Sequence, residues 1–351
     1  MRGISKLKYT TIFFLPATVA FSFLSTGFWA FAPLILYFII MPIVDHFLPK
    51  SSENFDEAEK EIAENDPFYS ALLFLLVPIQ LGFLIWFLTF VGQVESILDL
   101  IAKSWAMGIM CGVIGINVGH ELGHRHSKFE RFLGEVLLLT SLENHFLPYH
   151  NRGHHLNVAT PSDPATARKN EPIYLFWFRS QIGSYFQAWD IENTRMKIMR
   201  KPVLSFSNKM VFYTILHFAV FLTIFLVFGW YVLIQFIIVA IKGILLLELV
   251  NYIEHYGLLR HRRENGTYVP VKRIHSWNSN HSFGRLMLFE LSRHSDHHYK
   301  ADRPYQVLES HDESPLMPTG YIGMMIIALF PPLFFRLMNP RVEKINQINL
   351  S

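Results

Sequence analysis

Long apolar runs are the feature that most constrains the fold of this 351-residue chain. Half of its residues (51%) are hydrophobic and only 17% are charged, and several runs reach the roughly 20 residues that a helix needs to cross a bilayer. Because a backbone inside a membrane must satisfy its own hydrogen bonds, such runs predict helices. The predicted spans are 9–25, 29–48, 68–91, 97–120, 210–228 and 230–255. We therefore expect an all-α, polytopic membrane protein with about six transmembrane helices, forming a single domain over residues 1–351.

The distribution of positive charge predicts the orientation of these helices. The three short connections between spans (STGF, GQVES and FGW) contain no Lys or Arg. By contrast, segment 121–209 contains twelve Lys and Arg residues, and residues 257–318 of the last segment, 257–351, contain nine. Cytoplasmic loops carry the excess of Lys and Arg, and Arg2, Lys6 and Lys8 give the N-terminus the same side. We expect an inner-membrane protein with both termini and both large segments in the cytoplasm.

Two further apolar runs, 132–147 and 320–338, are interrupted by polar residues or by proline. We predict that both form helices lying on or dipping into the cytoplasmic face of the membrane. The acidic segment 51–66, SSENFDEAEKEIAEND, is expected to be a solvated helix.

Histidines are concentrated in four clusters that end or follow predicted spans: HELGH, HNRGHH, NYIEHYG and RHSDHH. Under the predicted topology all of them lie at one level, just beneath the membrane surface. We expect them to converge on one metal centre. The candidate ligands are His120, His124, His150, His154, His155, His255, His294, His297 and His298.

The spacing within the clusters favours metal binding. The two histidines of HELGH are four residues apart, so both imidazoles are expected on the same face of a helix. The same spacing relates His150 to His154 and His294 to His298. This spacing makes metal ligation plausible for each of these pairs.

The number of candidate ligands indicates two metal ions. Nine histidines exceed the three or four protein ligands that a zinc ion takes. Adjacent histidines on a helix diverge by about 100°, so His154 and His155, like His297 and His298, are expected to serve two neighbouring ions. Imidazole suits iron, copper, zinc and nickel. Cys111 is the only cysteine, which excludes cysteine-ligated clusters within one chain.

HELGH alone also fits H-E-x-x-H, the zinc-protease pattern in which the glutamate acts as base. A membrane zinc protease is the remote alternative, because it would leave HNRGHH and RHSDHH without a role. A metal transporter or sensor is disfavoured, since the candidate ligands lie on one face of the membrane instead of along a path through it.

With its four clusters in this order, the chain resembles the integral-membrane alkane 1-monooxygenases. These belong to the histidine-rich membrane di-iron group that includes fatty-acid desaturases and xylene monooxygenase. The resemblance covers the whole chain and includes VATPSDPATAR and NYIEHYGL; desaturases do not usually carry the second in this form. The chain departs from the family at three positions. Tyr149 stands where the family usually has glutamate, Ser292 replaces a common glutamine, and Arg125 replaces a common lysine.

The resemblance implies that the nine histidines bind two iron ions and that the protein hydroxylates the terminal carbon of n-alkanes with O₂. It implies an apolar substrate taken from the bilayer and electrons from a rubredoxin or a ferredoxin-type donor with its reductase. Hydroxylation of methyl groups on aromatics, and desaturation or hydroxylation of fatty-acyl chains, remain alternatives. No nucleic-acid partner is expected. A basic surface is expected either to dock the donor or to bind anionic lipid heads: Arg260, Arg262, Arg263, Lys272 and Arg273.

No catalytic side chain beyond the metal centre is predicted, but ligating imidazoles need acceptors for their second nitrogen. Four carboxylates in or beside the clusters are candidates: Glu121, Glu254, Asp296 and Asp163. Asn251 and Glu248 lie one and two turns before His255 and should face the inside of the bundle, where polar groups at membrane depth are functional candidates. Tyr149 is expected to change the hydrogen bonding around the centre.

Overall fold

A computed structural model describes residues 6–350, which form helices and loops with only isolated β-bridges. The helices in chain order are α1 (Lys8–Leu24), α2 (Gly27–Phe47), α3 (Glu57–Asn65), α4 (Pro67–Gln93), α5 (Ile97–Gly123), α6 (Lys128–Leu139), α7 (Phe146–Tyr149, the π-helical turn His150–His154 and His155–Asn157), α8 (Ile173–Ile198), α9 (Lys209–Phe228), α10 (Trp230–His255), α11 (Ser282–Met287), α12 (His294–Tyr299), α13 (Tyr321–Ala328) and α14 (Pro331–Leu350). Single 3₁₀ turns occur at Arg273–His275 and Tyr305–Val307.

Among these described residues, five helices are long and apolar enough to cross a membrane, namely α2, α4, α5, α9 and α10. They confirm a helical, multi-pass membrane protein. The remaining predicted span, 9–25, corresponds to α1, which is apolar but shorter than the other five and begins with a 3₁₀ turn at Lys8–Phe13. The count of six spans and their orientation stay predictions, and Arg2 lies outside the described residues.

The shorter predicted helices also have counterparts. Helix α3 confirms a helix in the acidic segment, α6 covers the first part of run 132–147, and α13 and α14 cover run 320–338. Their placement on the membrane face stays a prediction.

Local sequence signals explain where the long helices begin and turn. The side chains of Asp66, Ser96 and Asn208 each accept a backbone N–H from the first turn of α4, α5 and α9, respectively, which satisfies donors that have no partner within the helix. Gly229 separates α9 from α10 with φ +86°, a left-handed conformation that glycine adopts without strain.

The chain divides into two compact units, and the first comprises residues 6–40, Asp66–Leu147 and Glu192–Leu247. In this unit α5 and α6 pack backbone to backbone. A Cβ atom on Gly134 would lie only 2.8 Å from the carbonyl oxygen of Gly119, so the contact requires glycine. This close approach fixes the end of α5, where HELGH lies.

The second unit comprises Met41–Asn65, Pro148–Ile191 and residues from Glu248 onward. An aromatic core holds the end of α10 in this unit. The ring of Tyr252 lies 5.3 Å from Phe176 of α8 and 5.0 Å from Phe334 of α14, centroid to centroid. The Tyr252 hydroxyl also donates to the carbonyl of Glu171 (2.8 Å). These contacts position His255, the last residue of α10. The single-domain assignment of the whole chain stays a prediction.

Candidate metal centre

Four buried histidines of the second unit converge, and we call them the four-histidine group: His154, His255, His294 and His298. One ring nitrogen of each lies within 4.8 Å of the others. Nε2 of His294 is 2.9 Å from Nε2 of His298 and 3.0 Å from Nε2 of His255. The four-residue spacing within α12 brings His294 and His298 together as predicted.

The same unit contains a three-histidine group, formed by His150, His155 and His297, whose ligand nitrogens also lie within 4.8 Å of one another. Nε2 of His150 is 3.0 Å from Nε2 of His155. The rings of His150 and His154 stack with centroids 5.1 Å apart, as their predicted shared face implies, but the two residues belong to different groups. The turn is π-helical, with the N–H of His155 donating to the carbonyl of His150, and a π turn aligns side chains five residues apart.

Consecutive histidines enter different groups, as their divergence predicts. His154 and His155 separate in this way, and so do His297 and His298. Burial lowers the pKa of His297 to about 3 and the pKa of His298 well below its ordinary value. Both imidazoles are thus neutral at physiological pH and keep a lone pair on one ring nitrogen.

The histidines of HELGH lie in the first unit, at the end of α5. Nε2 of His120 is 3.0 Å from Nε2 of His124, in agreement with their predicted shared face. The ring of Phe146 packs edge-on against His120, with centroids 5.7 Å apart. The carboxylate of Glu121 accepts a hydrogen bond from Arg125 (2.7 Å), so its role beside the histidines stays a prediction.

Asp163 contacts one imidazole of the four-histidine group. Its Oδ2 lies 2.9 Å from Nδ1 of His154, and its carboxylate also accepts from the hydroxyls of Tyr149 (2.6 Å) and Thr166 (2.6 Å). Burial by itself raises the pKa of Asp163, but the charge and hydrogen bond of His154, with the two hydroxyl donors, outweigh it and lower the pKa to about 2. The ionised carboxylate binds Nδ1 of His154 and leaves Nε2 of this ring available to a metal ion.

The other polar residues that were predicted to support the metal centre differ in their contacts. Glu254 is buried with Oε2 3.3 Å from Nε2 of His294, the side of that ring that faces the other imidazoles. Asp296 accepts from Arg303 (2.7 Å) and Arg273 (3.3 Å) instead of from a histidine of either group. Asn251 and Glu248 are both buried, and the Asn251 amide donates to the Glu248 carboxylate (3.4 Å).

Sequence reasoning missed Thr166, Ser276 and Tyr321. Ser276 Oγ lies 3.4 Å from Nδ1 of His255, and Tyr321 donates to Glu254 (2.8 Å). Thr166 belongs to VATPSDPATAR, where its hydroxyl was a visible candidate donor to a neighbouring carboxylate. Tyr321 opens an apolar run, in which no local sequence signal marks it.

The four-histidine group fits a metal ion. Metal–imidazole bonds are about 2.0–2.1 Å long, so nitrogens in adjacent coordination positions stand about 3 Å apart, as the Nε2 atoms of His255, His294 and His298 do. Within the described residues, the buried Nε2 of His154 has no hydrogen-bond partner while its Nδ1 is held by Asp163. An all-imidazole donor set of this kind suits iron, copper, zinc or nickel.

Comparison with known proteins agrees with this site. Residues 96–327 match the fatty acid desaturase family, which defines the class: multi-pass membrane oxidoreductases with a histidine-rich site. The chain is 36% identical to alkane 1-monooxygenase 1 of Pseudomonas aeruginosa over 98% of its length and 92% of the relative. It is 39% identical to alkane 1-monooxygenase 1 of Alcanivorax borkumensis over 92% of its length and 81% of that relative.

A more distant relative, the hydroxylase component of xylene/toluene monooxygenase from Pseudomonas putida, is 27% identical over 95% of the chain and 87% of the relative. Within the desaturase class, the chain belongs to the alkane 1-monooxygenase family. These matches confirm the resemblance recognised from the histidine motifs.

Proposed function

We propose that the protein uses two iron ions to hydroxylate the terminal carbon of n-alkanes with O₂. The four-histidine group would hold one ion, and the three-histidine group, together with His120 and His124, would hold the other. The observation that carries the proposal is the four-histidine group, because its buried imidazoles stand at the mutual distances of ligands on one ion. The names of the relatives support alkane as the substrate class.

The reaction fixes what the protein must supply. One O₂, two electrons and two protons convert a terminal C–H bond into an alcohol and one water. Bound iron would supply the O₂ activation that an unactivated C–H bond needs. The chain's own residues hold the imidazoles in place, for example through Asp163 on His154, and bury them away from bulk water. Exclusion of water limits side reactions of activated oxygen.

The two electrons require a donor protein, for which we propose a rubredoxin or a ferredoxin-type carrier with its reductase. The basic residues expected to dock it divide into two kinds. Arg260 binds the carbonyl oxygens of Val269 and Leu156, and Arg273 binds Asp296. Both are therefore structural, and the exposed cations that support docking of an acidic carrier are Arg262, Arg263 and Lys272.

We further propose that the metal centre and both termini lie on the cytoplasmic side of the inner membrane. The charge distribution between the loops supports this orientation. An alkane would then enter from the bilayer, in which it dissolves, and present one end to the metal centre.

A second substrate class is a methyl group on an aromatic ring, which the name of the 27% identical relative favours. The same centre would serve, because the bond broken is again an aliphatic C–H. Fatty-acyl desaturation or hydroxylation is the third possibility, which the family match supports.

The test uses the full-length protein in lipid nanodiscs with a rubredoxin and its reductase. We expect two irons per chain, O₂ consumption that depends on both reductant and alkane, and 1-octanol or 1-hexadecanol as products. Formation of 4-methylbenzyl alcohol from p-xylene, with no alcohol from either alkane, would replace the alkane assignment. One zinc and no iron per chain would favour the protease alternative.

A further inference from the structure

Glu254 occupies an unusual position for a buried carboxylate. It directly precedes His255, is 1% exposed, and lies with both oxygens engaged inside the second unit. Oε1 accepts a hydrogen bond from the hydroxyl of Tyr321 (2.8 Å), and Oε2 lies 3.3 Å from Nε2 of His294. Asp163, by comparison, contacts the outward Nδ1 of its histidine. Glu254 therefore faces the ligand side of an imidazole, and not its supporting side.

Nε2 of His294 has more neighbours than one hydrogen bond can satisfy. It lies 2.9 Å from Nε2 of His298, 3.0 Å from Nε2 of His255 and 3.3 Å from Oε2 of Glu254. A neutral imidazole nitrogen carries either one proton or one lone pair. A cation between these four atoms satisfies all of them, and separations near 3 Å are those of adjacent ligands on a single ion.

The surroundings of Glu254 point in the same direction. Across residues 6–348, whose side chains are described, no lysine or arginine pairs with its carboxylate, and its polar side-chain contacts are Tyr321 and His294. Burying a carboxylate is costly unless it is paired with positive charge. A divalent ion at the centre of the four-histidine group would provide the positive charge that no lysine or arginine supplies to Glu254.

We infer that Glu254 is an oxygen ligand of the metal ion held by the four-histidine group, and that Tyr321 fixes its carboxylate by binding the other oxygen. The inference rests on the proposed metal-binding function and extends it to a mixed nitrogen and oxygen donor set. Such a set, with an anionic oxygen among imidazoles, suits ferrous iron and disfavours cuprous copper, which prefers soft sulfur ligands.

Cobalt(II) titration of the metal-free, full-length protein in nanodiscs tests this role without any assay of activity. Cobalt reports its ligands through visible absorption bands. For Glu254→Gln we expect the dissociation constant of one cobalt ion to rise about 10–100-fold, with shifted bands. For Tyr321→Phe we expect a smaller rise with the oxygen donor retained. Glu309→Gln, a carboxylate variant that leaves both histidine groups intact, is the matched control.

Each outcome decides a separate point. Wild-type affinity and bands in Glu254→Gln overturn the inference while leaving the proposed two-ion centre standing. A wild-type protein that binds a single cobalt ion, sensitive to Glu254→Gln, overturns the two-ion centre and supports the ligand. If Glu254→Gln does not fold by circular dichroism, Tyr321→Phe decides, and an unchanged affinity there contradicts the inference.

Discussion

Helix α12 carries two clusters of potential metal ligands with opposite electrostatic surroundings. His294 and His298 belong to the four-histidine group, whereas Asp296 belongs to a cluster with Glu309 and His311. Ligand atoms in each cluster lie within 4.8 Å of one another. Proximity alone therefore does not distinguish them.

Charge compensation does distinguish them. Asp296 accepts from Arg303 and Arg273, and Glu309 pairs with Arg303 (2.9 Å) and with Lys60 (2.7 Å). Each of the two carboxylates is thus paired with two cationic side chains, so this carboxylate cluster needs no metal ion. Within the described residues, the four-histidine group has no lysine or arginine ion-paired with its nearby Glu254. A metal site is indicated where donors converge without a cation of the protein's own.

The largest expected effect comes from removing one histidine of the four-histidine group, with the matching histidine of the carboxylate cluster as the control. We expect His294→Ala to lose at least one metal ion per chain and to lower alkane hydroxylation by more than about 100-fold, since even supporting residues change metal affinity 10–100-fold. His311→Ala should retain full metal content. Metal analysis and product quantification check both variants. Equal metal loss in the two would show that charge compensation does not separate the clusters.

A second variant examines the ligands that come from the first unit. We expect His124→Ala to bind one metal ion fewer per chain while the ion of the four-histidine group remains. Hydroxylation should fall nearly as far as in His294→Ala, because the proposed reaction uses both ions. The exposed His126 provides the control His126→Ala, with unchanged metal content. Retention of both ions in His124→Ala would contradict the assignment of HELGH to the centre.

An intermediate effect is expected at the carboxylate that orients His154. Asp163→Asn should raise the metal dissociation constant about 10–100-fold, because a neutral amide is a weaker acceptor for Nδ1. Tyr149→Phe removes one of the donors to Asp163 and should have a smaller effect in the same direction. Asp296→Asn should leave metal dissociation unchanged, and weakening equal to that of Asp163→Asn would place Asp296 in the metal site.

The smallest expected effect concerns pH and the carboxylate cluster. Burial raises the pKa of Glu309, but Lys60 and Arg303 outweigh it and hold the pKa below its ordinary value. A lowered folded-state pKa stabilises the fold above the unfolded pKa of about 4.3 and loses that stabilisation as pH falls further. Because Glu309 is partly exposed, we expect Lys60→Met to remove at most about 1 kcal/mol at pH 7.

Thermal unfolding measured between pH 3 and pH 7 checks this expectation, with the pH range chosen to bracket a pKa of about 4.3. The difference between wild type and Lys60→Met should shrink as pH falls. Metal content should be equal in both proteins at neutral pH. A difference in stability that grows on acidification would have the wrong sign for this ion pair.

The sequence predicts which histidines come close together better than it predicts how they divide into groups. Spacing alone pairs His294 with His298, because α12 is a regular α-helix. The partner of His150 depends instead on a π-helical turn, which is set by one backbone hydrogen bond to His155. Side-chain periodicity carries no signal of that choice. The same limit applies to Tyr321, which reaches Glu254 from 67 residues away in the chain.

Membrane helices were predictable because length and hydropathy determine them directly, and five of the six predicted spans correspond to long apolar helices among the described residues. The carboxylates were less predictable. Asp296 and Asp163 both lie in or beside histidine clusters, yet the partners of Asp296 are Arg303, Arg273 and His311, which lies outside both histidine groups. Local sequence shows that a carboxylate is near, but not which side chain from a distant segment neutralises it.

The division of consecutive histidines between two groups has a mechanical consequence. His154 and His155 share one peptide unit, and His297 and His298 share another. A backbone displacement that moves a ligand of one group must carry its neighbour in the other group with it. The two groups are therefore mechanically coupled at two peptide units. A backbone movement at either unit changes the geometry of both groups.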